Sequence, residues 1–285
     1  MGARCFLVSD LHGRAARYEA LVAAAVADRP DVIFMAGDLL PHRWSALEQG
    51  SSFLDRFRDC VERVRSASAG SGPRIVVILG NDDERAAETA FLDGDRRGDW
   101  DYIHQRTIAI GDRVVAGYSH VPPTPFLIKD WERYDVGRYV DPGCVPPDAG
   151  YRTVEVDPDA IETRTIAADL ERLTAGADDE GLVLLTHSPP YRTALDRADL
   201  DGQTIDHAPL DVHVGSVALR RFIEDRQPLL TLHGHIHESP RLTGSWRDRI
   251  GRTHCFTAAH DGPELAVVRF DLDDLDSATR DLIAT

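Results

Sequence analysis

Cys5-Phe6-Leu7-Val8-Ser9-Asp10-Leu11-His12 sets how the rest of the chain is read. Four consecutive apolar residues are too few for a helix and suit a short strand buried on both faces. The run then stops on a carboxylate and an imidazole. The pattern returns twice. Val32-Ile33-Phe34-Met35-Ala36 runs into Gly37-Asp38, and Arg74-Ile75-Val76-Val77-Ile78-Leu79 runs into Gly80-Asn81-Asp82. Amphipathic stretches from about Ala15 to Ala27 and from about Ser45 to Ser66 separate these runs, and a short helix is expected after Asp83. Strand, helix, strand in this order predicts βαβ units with parallel strands.

The character changes further on. Ile108, Ile110, Val114 and Val115 flank Gly111-Asp112, a hairpin signal, so an antiparallel portion follows. Residues 119–160 are rich in Pro and Gly but carry Phe126, Trp131, Tyr134 and Tyr139, which argues for an ordered flap. A helix is expected near Asp159–Thr174, then a strand at Leu182-Val183-Leu184-Leu185. Residues 189–215 form a second long polar excursion, and Ser216 reads as the N-cap of a helix reaching about Asp225. Strands are expected at Pro228–Leu232, near His254–Thr257 and at Leu265–Phe270, and the acidic run Asp271–Asp276 reads as a solvated helix start. No repeat or linker interrupts the chain, so a single domain over residues 1–285 is expected, with the two long loops over its site.

Composition narrows the function. The 285 residues are 42% hydrophobic and 28% charged, with Lys+Arg 32 against Asp+Glu 48 and a formal net charge of −16. That balance excludes a protein held to extended nucleic acid by a broad basic face, and it disfavours a polybasic membrane surface. It leaves room for a small phosphate-bearing substrate, because bound metal ions can invert the local field. The four cysteines have no C-x-x-C pair and suit free thiols in a reducing compartment. No signal peptide or membrane-length apolar run is visible, so a cytoplasmic protein without a membrane partner is expected. The oligomeric state stays open.

The strand ends carry the chemistry. Asp10, His12, Asp38, Asn81, His187, His235 and His237 each follow an apolar run, the last three in Thr186-His187 and His233-Gly234-His235-Ile236-His237. Each alone is an ordinary turn or core residue. Together they would converge on the crevice outside the C-terminal ends of the strands, where open α/β sheets bind ligands. Four imidazoles, two carboxylates and one amide exceed the needs of one ion and suit two divalent ions sharing a carboxylate. Ligation by N and O without thiolate points to Mn²⁺, Fe or Zn²⁺. Affinity does not choose among the three, and Mn²⁺ is the expected ion.

The ordered set Asp10-x-His12, Gly37-Asp38, Gly80-Asn81, His187 and Gly234-His235-x-His237 resembles the calcineurin-like metallophosphoesterase superfamily, over roughly residues 4 to 270. Ser188-Pro189-Pro190-Tyr191, His213-Val214-Gly215-Ser216 and the stretch from Gln227 to Ser239 resemble a narrower branch, predicted phosphoesterases related to bacterial cyclic-nucleotide phosphodiesterases. The resemblance implies an α/β fold of two facing mixed β-sheets flanked by helices, a four-layer αββα sandwich. It implies that Asp10, His12 and His237 hold one ion, that Asn81, His187 and His235 hold the second, and that Asp38 bridges them. A hydroxide shared by the ions would attack the phosphorus of a small phosphate ester.

One position departs from the pattern. The superfamily usually has His after the Asn, whereas this chain reads Gly80-Asn81-Asp82-Asp83. Two divalent ions less two carboxylates and one hydroxide leave roughly one positive charge for substrate, and an ionised Asp82 would cancel it. Asp82 is either a protonated general acid or a charge that disfavours a dianionic monoester relative to a diester. It could also simply cap the helix that follows. The rival reading is a weakly active or silent metal-binding relative that lost the His before Asp83. His120, His207, His213 and His233 lie where another imidazole could take the missing role.

Overall fold

The computed structural model describes residues 2–41, 47–66 and 72–285. Its elements run β1 (Arg4–Val8), α1 (Ala15–Asp28), β2 (Val32–Ala36), α2 (Leu47–Ser66), β3 (Arg74–Ile78), α3 (Glu88–Arg97), β4 (Asp101–Tyr102), β5 (Arg106–Ile110) and β6 (Arg113–Tyr118). There follow α4 (Pro158–Thr163), α5 (Ile166–Leu173), β7 (Leu182–Thr186), β8 (Thr204–Ile205), β9 (Ala208–Pro209), α6 (Val217–Arg226) and β10 (Leu230–His233). The last elements are α7 (Ser239–Thr243), β11 (Arg247–Ile250), β12 (Thr253–Thr257), β13 (Leu265–Asp271) and β14 (Asp274–Ile283). The expected start of the second helix at Ser45 lies outside the described residues.

Two mixed sheets of six strands result. The first has the order β14-β13-β1-β2-β3-β4 and the second β11-β12-β10-β7-β6-β5. Strands β1 to β4 are parallel, as are β6, β7, β10 and β12, while β13, β14, β5 and β11 pair antiparallel. Apolar alternation on both faces of each strand builds the layers. Cys5, Leu7, Phe34, Val76 and Ile78 turn inward and pack with Val115, Val183, Leu185 and Leu232 of the other sheet. Phe6, Val8, Ile33, Met35 and Val77 turn outward onto α1, α2 and α3. Ala116, Tyr118, Leu182 and Leu184 face α5 and α6 on the other side. The outcome is the expected sandwich of two facing sheets between helices.

Three expectations are corrected. The helix over 159–174 is two helices, because Thr165 is extended (φ −127°, ψ 157°) and its hydroxyl caps the amide of Ala168. The acidic run at 271–276 is no helix start. Asp271 pairs with Asp274 across a tight turn, where Asp273 donates its amide to the Asp271 side chain, and β14 follows. Strands β11 and β14 escape the apolar-run criterion because both are edge strands with charged outer positions. Only Ile250 in β11, and Leu275 and Ala278 in β14, are buried. Ser216 caps α6 as expected, its hydroxyl accepting from the amide of Leu219. The 119–160 flap is held by single bridges such as Val121 with Glu132 and Ile128 with Tyr151. Among the described residues no helix is long and apolar enough to cross a membrane.

Candidate metal centre

The loops after β1, β2 and β3 approach those after β7 and β10 along one edge of the sandwich. Backbone hydrogen bonds zip the first two loops together: Asp10 N to Gly37 O (3.0 Å), His12 N to Asp38 O (2.9 Å) and Gly13 N to Leu39 O (2.8 Å). This register forces Asp10, His12 and Asp38 into the left-handed region, at φ 57°, 48° and 52°, and His235 joins them at 76°. Such backbone costs about 1–3 kcal/mol per residue and persists where its surroundings over-determine it. Two glycines allow the close approach. A Cβ on Gly80 would lie 2.2 Å from Asp38 Oδ1, and one on Gly234 would lie 2.8 Å from Asp10 Oδ2.

Seven side chains meet there. Ligand atoms of Asp10, His12, Asp38 and His237 all lie within 4.8 Å of one another, as do those of Asp38, His187 and His235. Asp38 belongs to both groups. His12 Nε2 faces His237 Nε2 at 3.2 Å, and His237 Nε2 faces Asp10 Oδ1 at 3.2 Å. His187 Nδ1 lies 2.6 Å from the Ala36 carbonyl, to which it donates, so Nε2 is left to face Asn81 Oδ1 (3.1 Å) and Asp38 Oδ2 (3.2 Å). Nitrogen and oxygen lone pairs are crowded together here, an arrangement that positive charge must reconcile.

The electrostatics agree. Burial opposes protonation of His187, yet Asp38 and then Asp10 outweigh it and push its pKa up to about 10. Burial likewise opposes His237, and Asp10 and Asp38 raise it to about 9. Burial would lift Asp38, but His187 and His12 hold it at about 2, and Asp10 is drawn below the ordinary range against the same burial by His237, His187 and His12. His235 is pushed down to about 3 by burial and then by His187. Asp38 is thus common to two groups of possible metal ligands, all of them carboxylate oxygens and imidazole nitrogens.

Asp82 sits at the rim. Its amide donates to Asp38 Oδ1 (2.8 Å), its Oδ1 accepts from Asn81 Nδ2 (3.1 Å), and its Oδ2 lies 3.8 Å from His12 Nδ1, with 32% of the side chain exposed. The capping position of the short helical turn that follows falls to Glu84, not to Asp82. The four other histidines go elsewhere. His233 is a satisfied core residue, bonded to Thr186, Ser188 and Thr231 and pushed down to about 3 by burial. His213 Nδ1 lies 2.8 Å from buried Asp196, His207 is exposed in the turn between β8 and β9, and His120 packs on His104 and Trp131.

Two positioning residues escape a reading of motifs. Arg17, buried on α1, donates to the carbonyls of Asp10 and Gly262. Asp83 accepts from the amides of Gly80 (2.8 Å), Leu40 (2.7 Å) and Leu39 (3.2 Å), so one carboxylate ties the β2 and β3 loops together. Burial and then the charge of Asp38 push its pKa up to about 7. Its place directly after Asn81 and Asp82 is the only sequence signal.

A family model described as calcineurin-like phosphoesterase matches residues 3–239. The chain belongs to that family, and it is a metallophosphoesterase. An uncharacterised protein of Methanocaldococcus jannaschii is 38% identical over 76 residues, which is 26% of this chain and 29% of that relative. Among solved structures, the protein TT1561 of Thermus thermophilus superposes with a TM-score of 0.58 at 14% identity, covering 99% of both chains. A dimetal phosphatase from Danio rerio gives 0.55 at 12% identity over 99% of this chain and 98% of its own. Phosphopantetheinyl hydrolase from Mycobacterium tuberculosis gives 0.52 at 13% identity over 91% of each chain. At these identities the likeness is one of fold.

Proposed function

We propose that this metallophosphoesterase hydrolyses a small phosphodiester at a dinuclear centre. Asp10, His12, Asp38 and His237 would hold one ion, and Asp38, Asn81, His187 and His235 the other, with Mn²⁺ favoured. Bound there, two divalent ions would supply Lewis acidity to the phosphoryl oxygens and a water of lowered pKa. The chain's own groups do the rest. Asp38 offers oxygens to both clusters, Ala36 fixes the tautomer of His187, and Arg17 holds the carbonyl of Asp10 in place.

The observation that carries the diester preference is Asp82. Its carboxylate stands 3.8 Å from His12 and is partly exposed. Held there by Asn81, it repels the second negative charge of a monoester and tolerates the single charge of a diester. The net charge of −16 favours a small ester over a polyanion. The test is turnover of bis-p-nitrophenyl phosphate against p-nitrophenyl phosphate by the Mn²⁺-reconstituted protein. Faster cleavage of the diester is expected, abolished by EDTA. Faster cleavage of the monoester would overturn the preference, and no turnover of either would favour a silent metal-binding relative.

A further inference from the structure

A second polar recess lies behind the loop that carries Asn81 and Asp82. It is lined by Arg85, His120, Asp130, Glu132, Arg133 and Arg152 and encloses a cavity of about 10 Å³, room for one water-sized atom. Strand β6 delivers His120 to the same edge of the sandwich as His187, because β6 and β7 are parallel neighbours with Tyr118 opposite Thr186. Trp131 meets His120 edge to face and donates its indole N–H to the carbonyl of Asp83 (2.7 Å), so this recess and the metal centre share a wall.

Its charges are unevenly committed. Asp130 already accepts from the amides of Arg85 and Thr153 and from the Thr153 hydroxyl. Glu132 accepts from Lys129 and from the amide and hydroxyl of Thr124, and Arg133 is paired with buried Asp169. Arg85 stacks on Trp131 at 5.2 Å, and among the described residues its guanidinium bonds only Glu88, through Nε. Arg152, partly buried, forms no hydrogen bond or close ion pair among the described residues, and the opposite charges it faces are those of Asp130 and Glu132. His120 is 3% exposed, and its Nδ1 is buried without a hydrogen-bond partner among the described residues. Burial, and then the charges of Arg133 and Arg85, keep this imidazole neutral, with one N–H to give.

We infer that the recess is an oxyanion subsite. Arg85 and Arg152 hold a carboxylate, sulfate or phosphate group, one oxygen of which enters the cavity and accepts the Nδ1–H of His120. The group is either a second charged substituent of the substrate or a free anion that acts on the neighbouring centre. The substrate form rests on the phosphodiesterase reading above; the subsite itself does not.

The first arm of the test uses EDTA-stripped protein titrated with inorganic sulfate, followed by the imidazole ¹⁵N signals of the histidines. A saturable shift of His120 is expected, weakened at least about tenfold in Arg152→Ala, the loss typical of one charged hydrogen-bonding partner. An unmoved His120, or equal sulfate binding by Arg152→Ala with an unchanged melting temperature, means an adventitious ion only and overturns the subsite. The second arm uses Mn²⁺-loaded protein and two phosphodiesters with the same leaving group, one bearing a remote carboxylate. If the substrate supplies the anion, Arg152→Ala raises KM about tenfold more for the carboxylated ester than for the plain one, and sulfate competes only with the former. If a free anion is the ligand, sulfate changes kcat for both esters alike in wild type and loses that effect in Arg152→Ala. Absence of all turnover would sink the phosphodiesterase reading and leave the sulfate titration to decide the subsite.

Discussion

His12 and His237 present their Nε2 atoms to each other at 3.2 Å although 225 positions of sequence separate them. Two neutral imidazoles poised as ligands would set lone pair against lone pair there. Positive charge relieves the contact, either a proton on His237, which Asp10 and Asp38 favour, or a metal ion held together with Asp10. The proposed dinuclear centre predicts one bound ion per chain in His237→Ala against two in the wild type, and less than one in Asp38→Asn. Metal analysis after gel filtration reads both counts; an Asp38→Asn protein that retains two ions would remove Asp38 from its shared role.

Asp82→His replaces a carboxylate at the rim with a group that does not repel a dianion. A unit charge about 6 Å from the phosphoryl group is worth about 2–3 kcal/mol at an effective dielectric constant near 20. The ratio of p-nitrophenyl phosphate to bis-p-nitrophenyl phosphate cleavage should rise on the order of 30- to 150-fold. An unchanged ratio means that Asp82 does not set the preference.

Gly80→Ala would place a methyl 2.2 Å from Asp38 Oδ1 and 2.7 Å from His187 Cε1. The loop must shift, at a cost of about 1–3 kcal/mol, and metal affinity should fall with it. Gly98→Ala is the matched control: its φ of 79° strains any side chain, yet nothing lies within 4 Å of the added methyl. Both variants should melt earlier than wild type by calorimetry. Only Gly80→Ala should also lose bound divalent metal.

Acid should weaken the fold through His104 and His120. Burial, reinforced by nearby arginines, holds both pKa values well below the usual histidine range, so both are neutral in the folded chain. In the unfolded chain they take up protons below about pH 6.5. Their contribution to stability is complete above that pH and drains away as the pH falls toward their folded values. Urea unfolding at pH 7, 6 and 5 should show the decline, and His104→Gln should reduce its slope by up to about 1.4 kcal/mol per pH unit. A slope unchanged in His104→Gln would assign the acid limb to other groups.

The strand ends are legible in the sequence for a physical reason. Strands β1, β2, β3, β7 and β10 are buried on both faces, so each apolar run breaks off abruptly at the first polar residue that leaves the sheet. Edge strands lack that contrast, which is why β11 and β14 go unseen. His233 shows the opposite failure. It alternates with His235 and reads as a candidate, but it is still inside β10, where Thr186 and Thr231 satisfy it. The left-handed backbone of Asp10, His12, Asp38 and His235 leaves no mark in sequence, because it comes from neighbouring loops zipped to each other rather than from residue type. Arg17 and Asp83 are hidden likewise, since only the tertiary structure shows which carbonyls and amides they collect.

The way the two clusters are divided has a consequence for how the protein is made. One draws Asp10, His12 and Asp38 from the first sheet and His237 from the second; the other pairs Asp38 of the first sheet with His187 and His235 of the second. Neither is complete within either sheet. A chain emerging from the ribosome has no finished cage until His235 and His237 have been synthesised and the sheets have closed face to face. The full set of candidate ligands is thus gathered only in the closed sandwich, although Asp10, His12 and Asp38 already sit side by side in the first sheet.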